Sequence, residues 1–243
     1  MKTLRIIAVL LAVLLVASIA LTACTTTEEE TSETTTTTAT EDPTPSTTGD
    51  DATADDTTGD DGEDGDDEPP AETPVRAEGA DEFVAQYTQV HVVTNEEEEG
   101  AIYTENFSAW NAAEDAPNLF DGKDGFFNPD EETKMGGGLS GVITLYFKTA
   151  EAVTLKAYAF ISGNDSATYT GRNPVEWTLR GSTDQENWVD LDYVYDGAME
   201  DVDHDFFGYT IDDDKQGSYQ FYQLEITYTV SGGMQINEMY LYA

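Results

Sequence analysis

The chain reads as an antiparallel β-sandwich carried behind a secretion signal and a polar tether. Three observations predict it. All 26 aromatic residues of the 243-residue chain lie at or beyond Phe83, so a core can form only in the last two-thirds, a length that suits one domain. From there onward apolar residues recur with period two between turn residues. Beyond the amino-terminal apolar run, no stretch keeps a helical period for more than about two turns.

Residues 1–23 form an address. Lys2 and Arg5 precede an apolar run from Ile6 to Leu21, an order that reads as a secretory signal. The run falls short of the roughly 20 apolar residues a bilayer span requires. Leu21-Thr22-Ala23-Cys24 resembles a bacterial lipobox, and Cys24 is the chain's one cysteine. That resemblance implies cleavage before Cys24 and acylation there, hence a protein secreted and lipid-anchored at the cell envelope, facing outside. Residues 24–80 form an acidic, Thr-rich disordered linker with Val75 as its one large aliphatic. Such a stretch buries too little apolar surface to offset the entropy of ordering it. It would span about 40 Å as a coil and roughly 190 Å fully extended.

Domain 81–243 supplies the strands, expected at 87–93, 142–148, 153–161, 175–181, 188–195, 219–230 and 234–242. Turns are marked by Ser162-Gly163-Asn164-Asp165, Gly181-Ser182-Thr183-Asp184, Asp196-Gly197 and Ser231-Gly232-Gly233. Gly136-Gly137-Gly138 reads as a flexible turn. The aromatic-rich run 219–230 reads as a central strand, and Trp177 and Trp188 are expected in the core.

Fifty Asp and Glu against ten Lys and Arg leave a net charge of -40. That field repels phosphate backbones and anionic lipid headgroups, which excludes nucleic acid as a partner and leaves the lipid anchor as the membrane contact. Neutral or cationic partners remain. One cysteine and two histidines exclude a multi-thiolate or histidine-rich metal centre. Neither a G-x-S-x-G elbow, an H-E-x-x-H pair nor a phosphate loop is present, and the chain reads as a non-enzyme. The tract 55–68 lacks EF-hand spacing. Asp201, Asp203 and Asp205 alternate toward Asp212, but Phe206 stands where such a loop needs glycine, and a solvated acidic loop is expected.

Asn118-Leu119-Phe120-Asp121-Gly122-Lys123 resembles the "LFDGK" segment of discoidin-like domains, also called coagulation factor 5/8 type C domains or family 32 carbohydrate-binding modules. Thr133-Lys134, 171–179 (GRNPVEWTL), 181–188 (GSTDQENW) and Asn237-Glu238 resemble further segments in the order that family has them. The resemblance covers 103–243. It implies a jelly-roll β-sandwich, galactose-binding-domain-like, that binds a ligand at its loop tips, most often a sugar. It also implies a structural Ca2+ held by the Asp121 carboxylate, the Lys123 carbonyl, Thr133 and the Glu238 carboxylate, an oxygen set that suits a hard cation. Two departures stand out. The segment 122–132 is longer than the family's loop, either folding back to deliver Thr133 or substituting Asp124 as a ligand. Met135 replaces the family's tryptophan.

Sugar sites combine an exposed aromatic platform with planar polar groups. Phe126 and Phe127 are candidates for the platform, or else a satellite core under the inserted loop. Asn164, Tyr169 and Arg172 form a second cluster, in which Arg172 either touches ligand or pairs with Asp165. His204 marks a third loop, as a ligand contact or a plain surface histidine, and Trp110 fits either core or site. The reading is a noncatalytic surface lipoprotein that captures neutral extracellular glycans. Its alternative is a scaffolding module for a protein partner.

Overall fold

A computed structural model describes residues 71–94 and 101–243; the signal, Cys24 and the linker up to residue 70 lie outside them. Among the described residues ten strands form two antiparallel sheets. Strands β1 (Gln89–Val90), β10 (Glu238–Tyr242), β4 (Ala157–Ile161) and β7 (Phe206–Thr210) make a four-stranded sheet in that order. The other sheet orders β2 (Ile102–Ala109), β3 (Met135–Thr154), β8 (Ser218–Tyr228), β5 (Glu176–Ser182) and β6 (Val189–Val194), with β9 (Gly233–Ile236) paired to the start of β3. The antiparallel β-sandwich expected from the period-two pattern is what forms, with β8 inside its sheet.

Alternation explains the main core. Ile143, Leu145 and Phe147 of β3, Trp177 and Leu179 of β5 and Tyr222, Leu224 and Ile226 of β8 point inward. They meet Tyr158 and Phe160 of β4, Phe207 and Tyr209 of β7 and Met239 and Leu241 of β10. Each such side chain stabilises the fold by about 1.5–3 kcal/mol. A buried chain of polar groups crosses this core: Trp177 Nε1 donates to Tyr158 Oη at 2.8 Å, and that hydroxyl donates to Asp192 Oδ2 at 2.7 Å.

The two inner strands of the four-stranded sheet, β4 and β10, are buried on both faces and therefore run continuously buried rather than alternating. The sheet's outer face holds Ala157, Ala159, Ile161, Phe206, Tyr240 and Tyr242. The cover is α1 (Ala80–Val84), which sets Phe83 against Phe206, Tyr242 and Tyr87 at ring separations of 5.6, 6.0 and 5.4 Å.

Four local expectations are corrected. Ordered contacts begin before the boundary drawn at 80/81: Val75 exchanges two 2.9 Å backbone hydrogen bonds with Gly208, and Arg76 pairs with Glu200 at 3.0 Å and with Asp205. The opening strand shrinks from 87–93 to two residues plus a bridge from Val92 to Thr149. Gly136-Gly137-Gly138 is strand, not turn, paired on both sides with β2 and β9. Glycine is required there by close approach, since a Cβ on Gly137 would lie 2.4 Å from the Ser108 carbonyl oxygen and 2.5 Å from the Phe107 ring. Trp188 is only half-buried and rests on the outer side of the larger sheet, 5.8 Å from Tyr146.

Candidate functional site

Four loops gather at one end of the sandwich: 110–134, 162–175, 195–205 and 229–232. Side-chain carboxylates tie them together. Asp201 accepts from the Gly171 N–H at 3.0 Å and Asp203 from the Ala167 N–H at 2.8 Å, while Asp205 faces Arg76. The alternating aspartates are thus loop fasteners, each with a named partner, rather than the solvated stretch expected. Glu132 does the same for the inserted loop: Asn164 Nδ2 donates to it at 3.1 Å, and His204 Nε2 lies 2.8 Å from its other oxygen. His204 also sits against Gly125, where a Cβ would lie 2.3 Å from the imidazole.

The second expected cluster forms, with different partners. Asp165 pairs with Lys134 at 2.7 Å, so the alternative pairing of Arg172 with Asp165 is not what the structure shows. The Arg172 guanidinium instead lies between two rings, 4.3 Å from the centroid of Trp110 and 4.1 Å from that of Tyr169. Both rings remain accessible, at 41% and 50%. Trp110 lies flush against the strand backbone, because Gly136 and Gly233 offer no Cβ to lift it; one added there would come within 3.0 and 2.9 Å of the indole. Tyr169 is presented by a turn in which its N–H and that of Thr168 both bond the Asp165 carbonyl. Beneath the stack, fully buried Gln235 lies 3.4 Å from Arg172 Nη1, 3.5 Å from Lys134 Nζ and 3.1 Å from Ser166 Oγ. Glu114 Oε2 and Asn164 Oδ1 are buried at this end with no hydrogen-bond partner among the described residues.

The four oxygen donors expected to hold calcium also converge. Thr133 Oγ1 donates to both Asp121 oxygens at 2.9 Å, the Thr133 N–H reaches the Lys123 carbonyl at 2.9 Å, and the Gly122 N–H bonds Glu238 Oε2 at 3.0 Å. The inserted loop folds back through a bridge between Asp124 and Glu132 to deliver Thr133. Both Asp124 oxygens are already engaged: one accepts from the Phe126 and Asn128 N–H groups and the other from the Tyr240 hydroxyl. Glu238 is 2% exposed. Burial, and then the neighbouring Asp121 charge, push its carboxyl up to about 9 against the opposing Gly122 N–H. Among the described residues no three His, Cys, Asp or Glu side chains cluster as a ready metal cage. The set is two carboxylates, Glu238 buried and Asp121 exposed, completed by a hydroxyl and a carbonyl, and it is an acidic pair whose repulsion a hard cation would relieve.

The remaining candidates separate. Phe126 turns under its loop, 5.9 Å from Phe206, as satellite core. Phe127 is 42% exposed and leans on Tyr240 at 5.8 Å, on the outer face of the four-stranded sheet. Asn164 and His204 meet through Glu132, as loop ties. Sequence reasoning missed Lys134, Gln235 and Glu132, and left Trp110 open. The available signal for Trp110 was a lone tryptophan among polar and small loop residues; Gln235, inside a strand flanked by Met234 and Ile236, offered none.

No family model and no curated protein matches the chain. Among solved structures it is similar to CpGH89CBM32-5 of Clostridium perfringens, in complex with GalNAc-β-1,3-galactose, at 12% identity over 58% of this chain and 94% of that one, with a TM-score of 0.44. The CBM32-1 and CBM32-2 domains of Clostridium perfringens ZmpB match at 14% identity over 72% of this chain and 41% of that one, with a TM-score of 0.49. Chitosan-binding module 1 of the chitosanase/glucanase from Paenibacillus sp. IK-5 matches at 14% identity over 59% and 95%, with a TM-score of 0.44.

Proposed function

We propose that the chain is a noncatalytic carbohydrate-binding module that captures neutral extracellular glycans at its loop end. The stack of Trp110, Arg172 and Tyr169 carries this reading. Sugars offer flat C–H faces and a periphery of hydroxyls. The stack sets accessible rings beside guanidinium donors and fixes all three before a ligand arrives, which lowers the ordering cost of binding. Lys134 is already neutralised by Asp165, and the chain's net charge of -40 disfavours polyanionic glycans. Calcium held by Asp121, the Lys123 carbonyl, Thr133 and Glu238 would supply charge neutralisation. These residues would thereby fasten the inserted loop to β10, a structural role. Acylated Cys24 would hold the module at the outside of the cell envelope.

Two measurements test this. On an array of neutral and charged glycans, binding to neutral sugars should fall at least tenfold in both Arg172→Ala and Tyr169→Ala. A blank array from folded protein would sink the glycan reading in favour of a protein partner. In thermal melts, calcium should raise Tm over chelator in the native chain but not in Glu238→Gln. Identical curves for the native chain with and without calcium would remove the metal from the account.

A further inference from the structure

A concavity lies on the outer face of the four-stranded sheet, built from other residues than the loop-end stack. It encloses about 300 Å3 and is lined by Val84, Tyr87, Gln89, Phe127, Tyr240 and Tyr242. Its four rings follow one another in an arc: Tyr87 to Tyr242 at 6.1 Å, Tyr242 to Tyr240 at 6.3 Å and Tyr240 to Phe127 at 5.8 Å. Two parts of the chain make the arc. The exit of α1 brings Tyr87, and the inserted loop brings Phe127, over the floor that β10 provides.

The electrostatics of this concavity point one way. No lysine, arginine or histidine is among its lining residues. The Tyr240 hydroxyl donates to the fully buried Asp124 carboxylate, which no ion pair among the described residues reaches. The ring faces carry negative quadrupole density, and a cation is held when it lies within about 6 Å of their centroids. The field of a chain with net charge -40 adds to the same sign. An anionic ligand meets no donor cation here, and a polyhydroxylated one finds Gln89 as the one side-chain amide.

We propose that this arc is an aromatic cage for a small quaternary ammonium, such as the trimethylammonium end of choline. The inference is independent of the glycan reading, since it shares no residue with the loop-end stack.

The test is calorimetric titration of the full chain with choline and with 3,3-dimethylbutan-1-ol, its uncharged isostere. Choline should bind saturably, at least tenfold more tightly than the isostere. Phe127→Ala should weaken it at least tenfold, while Tyr228→Ala, which removes a comparably exposed ring on β8, should leave it unchanged. Phe127 is 42% exposed and lies outside both buried clusters, so its loss should leave the core folded, and a matching melting curve checks this. Sedimentation with phosphatidylcholine vesicles, competed by free choline, would assign the cation to a lipid headgroup. Choline binding without sedimentation would assign it to a soluble donor, and both results support the cage. Equal affinity for the isostere, choline binding that survives Phe127→Ala, or no choline binding by folded protein would each overturn it.

Discussion

Asp165 meets Lys134 and leaves Arg172 to the rings of Trp110 and Tyr169. The candidates Tyr169 and Arg172 were legible because they sit close together beside a turn. The partners were not, because Trp110 and Lys134 arrive from the two ends of a distant loop and Gln235 from β9, and only packing decides which of them a guanidinium faces. Asp192 is another residue whose neighbours decide its behaviour. Burial raises its carboxyl to about 6 from an ordinary value of 3.8; the Tyr158 hydroxyl opposes this, and the charges of Glu72 and Asp212 add to it. A group raised on folding contributes its full stability below the unfolded value and loses it as pH rises through the folded one. Asp192→Asn keeps an acceptor for Tyr158 and removes the ionisation. It should therefore stabilise the chain by roughly 2–3 kcal/mol at pH 8 and hardly at all at pH 4, as urea unfolding at the two pH values would show.

The glycines of β3 were misread because glycine signals a turn by conformation and a crowded strand by size, and the sequence does not distinguish the two. Gly137→Ala should cost about 3 kcal/mol, since its Cβ would collide with both the Ser108 backbone and the Phe107 ring. Gly138→Ala, with nothing within 4 Å, should change stability by less than about 0.5 kcal/mol; chemical denaturation of the pair separates crowding from chain stiffness. The short segment 71–84 escaped notice for a different reason. Val75 and Arg76 are one aliphatic and one charge in an acidic stretch, and α1 is too short to show a period. A fragment beginning at residue 81 should melt several degrees below one beginning at 71, about 1–2 kcal/mol for this size, having lost the Val75 bridge and the Arg76 ion pairs.

For the whole molecule, alternation was enough to reveal two sheets and their shared core, because one face of most strands in the larger sheet, β2 and β6 among them, meets water. It could not reveal that the smaller sheet is covered on its outer face as well, since a strand buried on both sides loses its alternation. The acidic excess acts on the molecule as a whole. Self-repulsion weakens the compact state, so raising sodium chloride from 20 to 500 mM should lift Tm, the opposite of what loss of surface ion pairs alone would give. The arrangement around Arg76 also has a mechanical side. A pull transmitted along the chain from residue 71 arrives first at the Val75–Gly208 bridge and at the grip of Arg76 on Glu200 and Asp205. That same loop, through Asp201 and Asp203, holds the backbone at Gly171 and Ala167. In the proposed lipid-anchored state, tension would therefore act on the edge strand β7 and on the support of Arg172 and Tyr169 before it reached the strands inside either sheet, and the proposed binding end would register it as a change in grip.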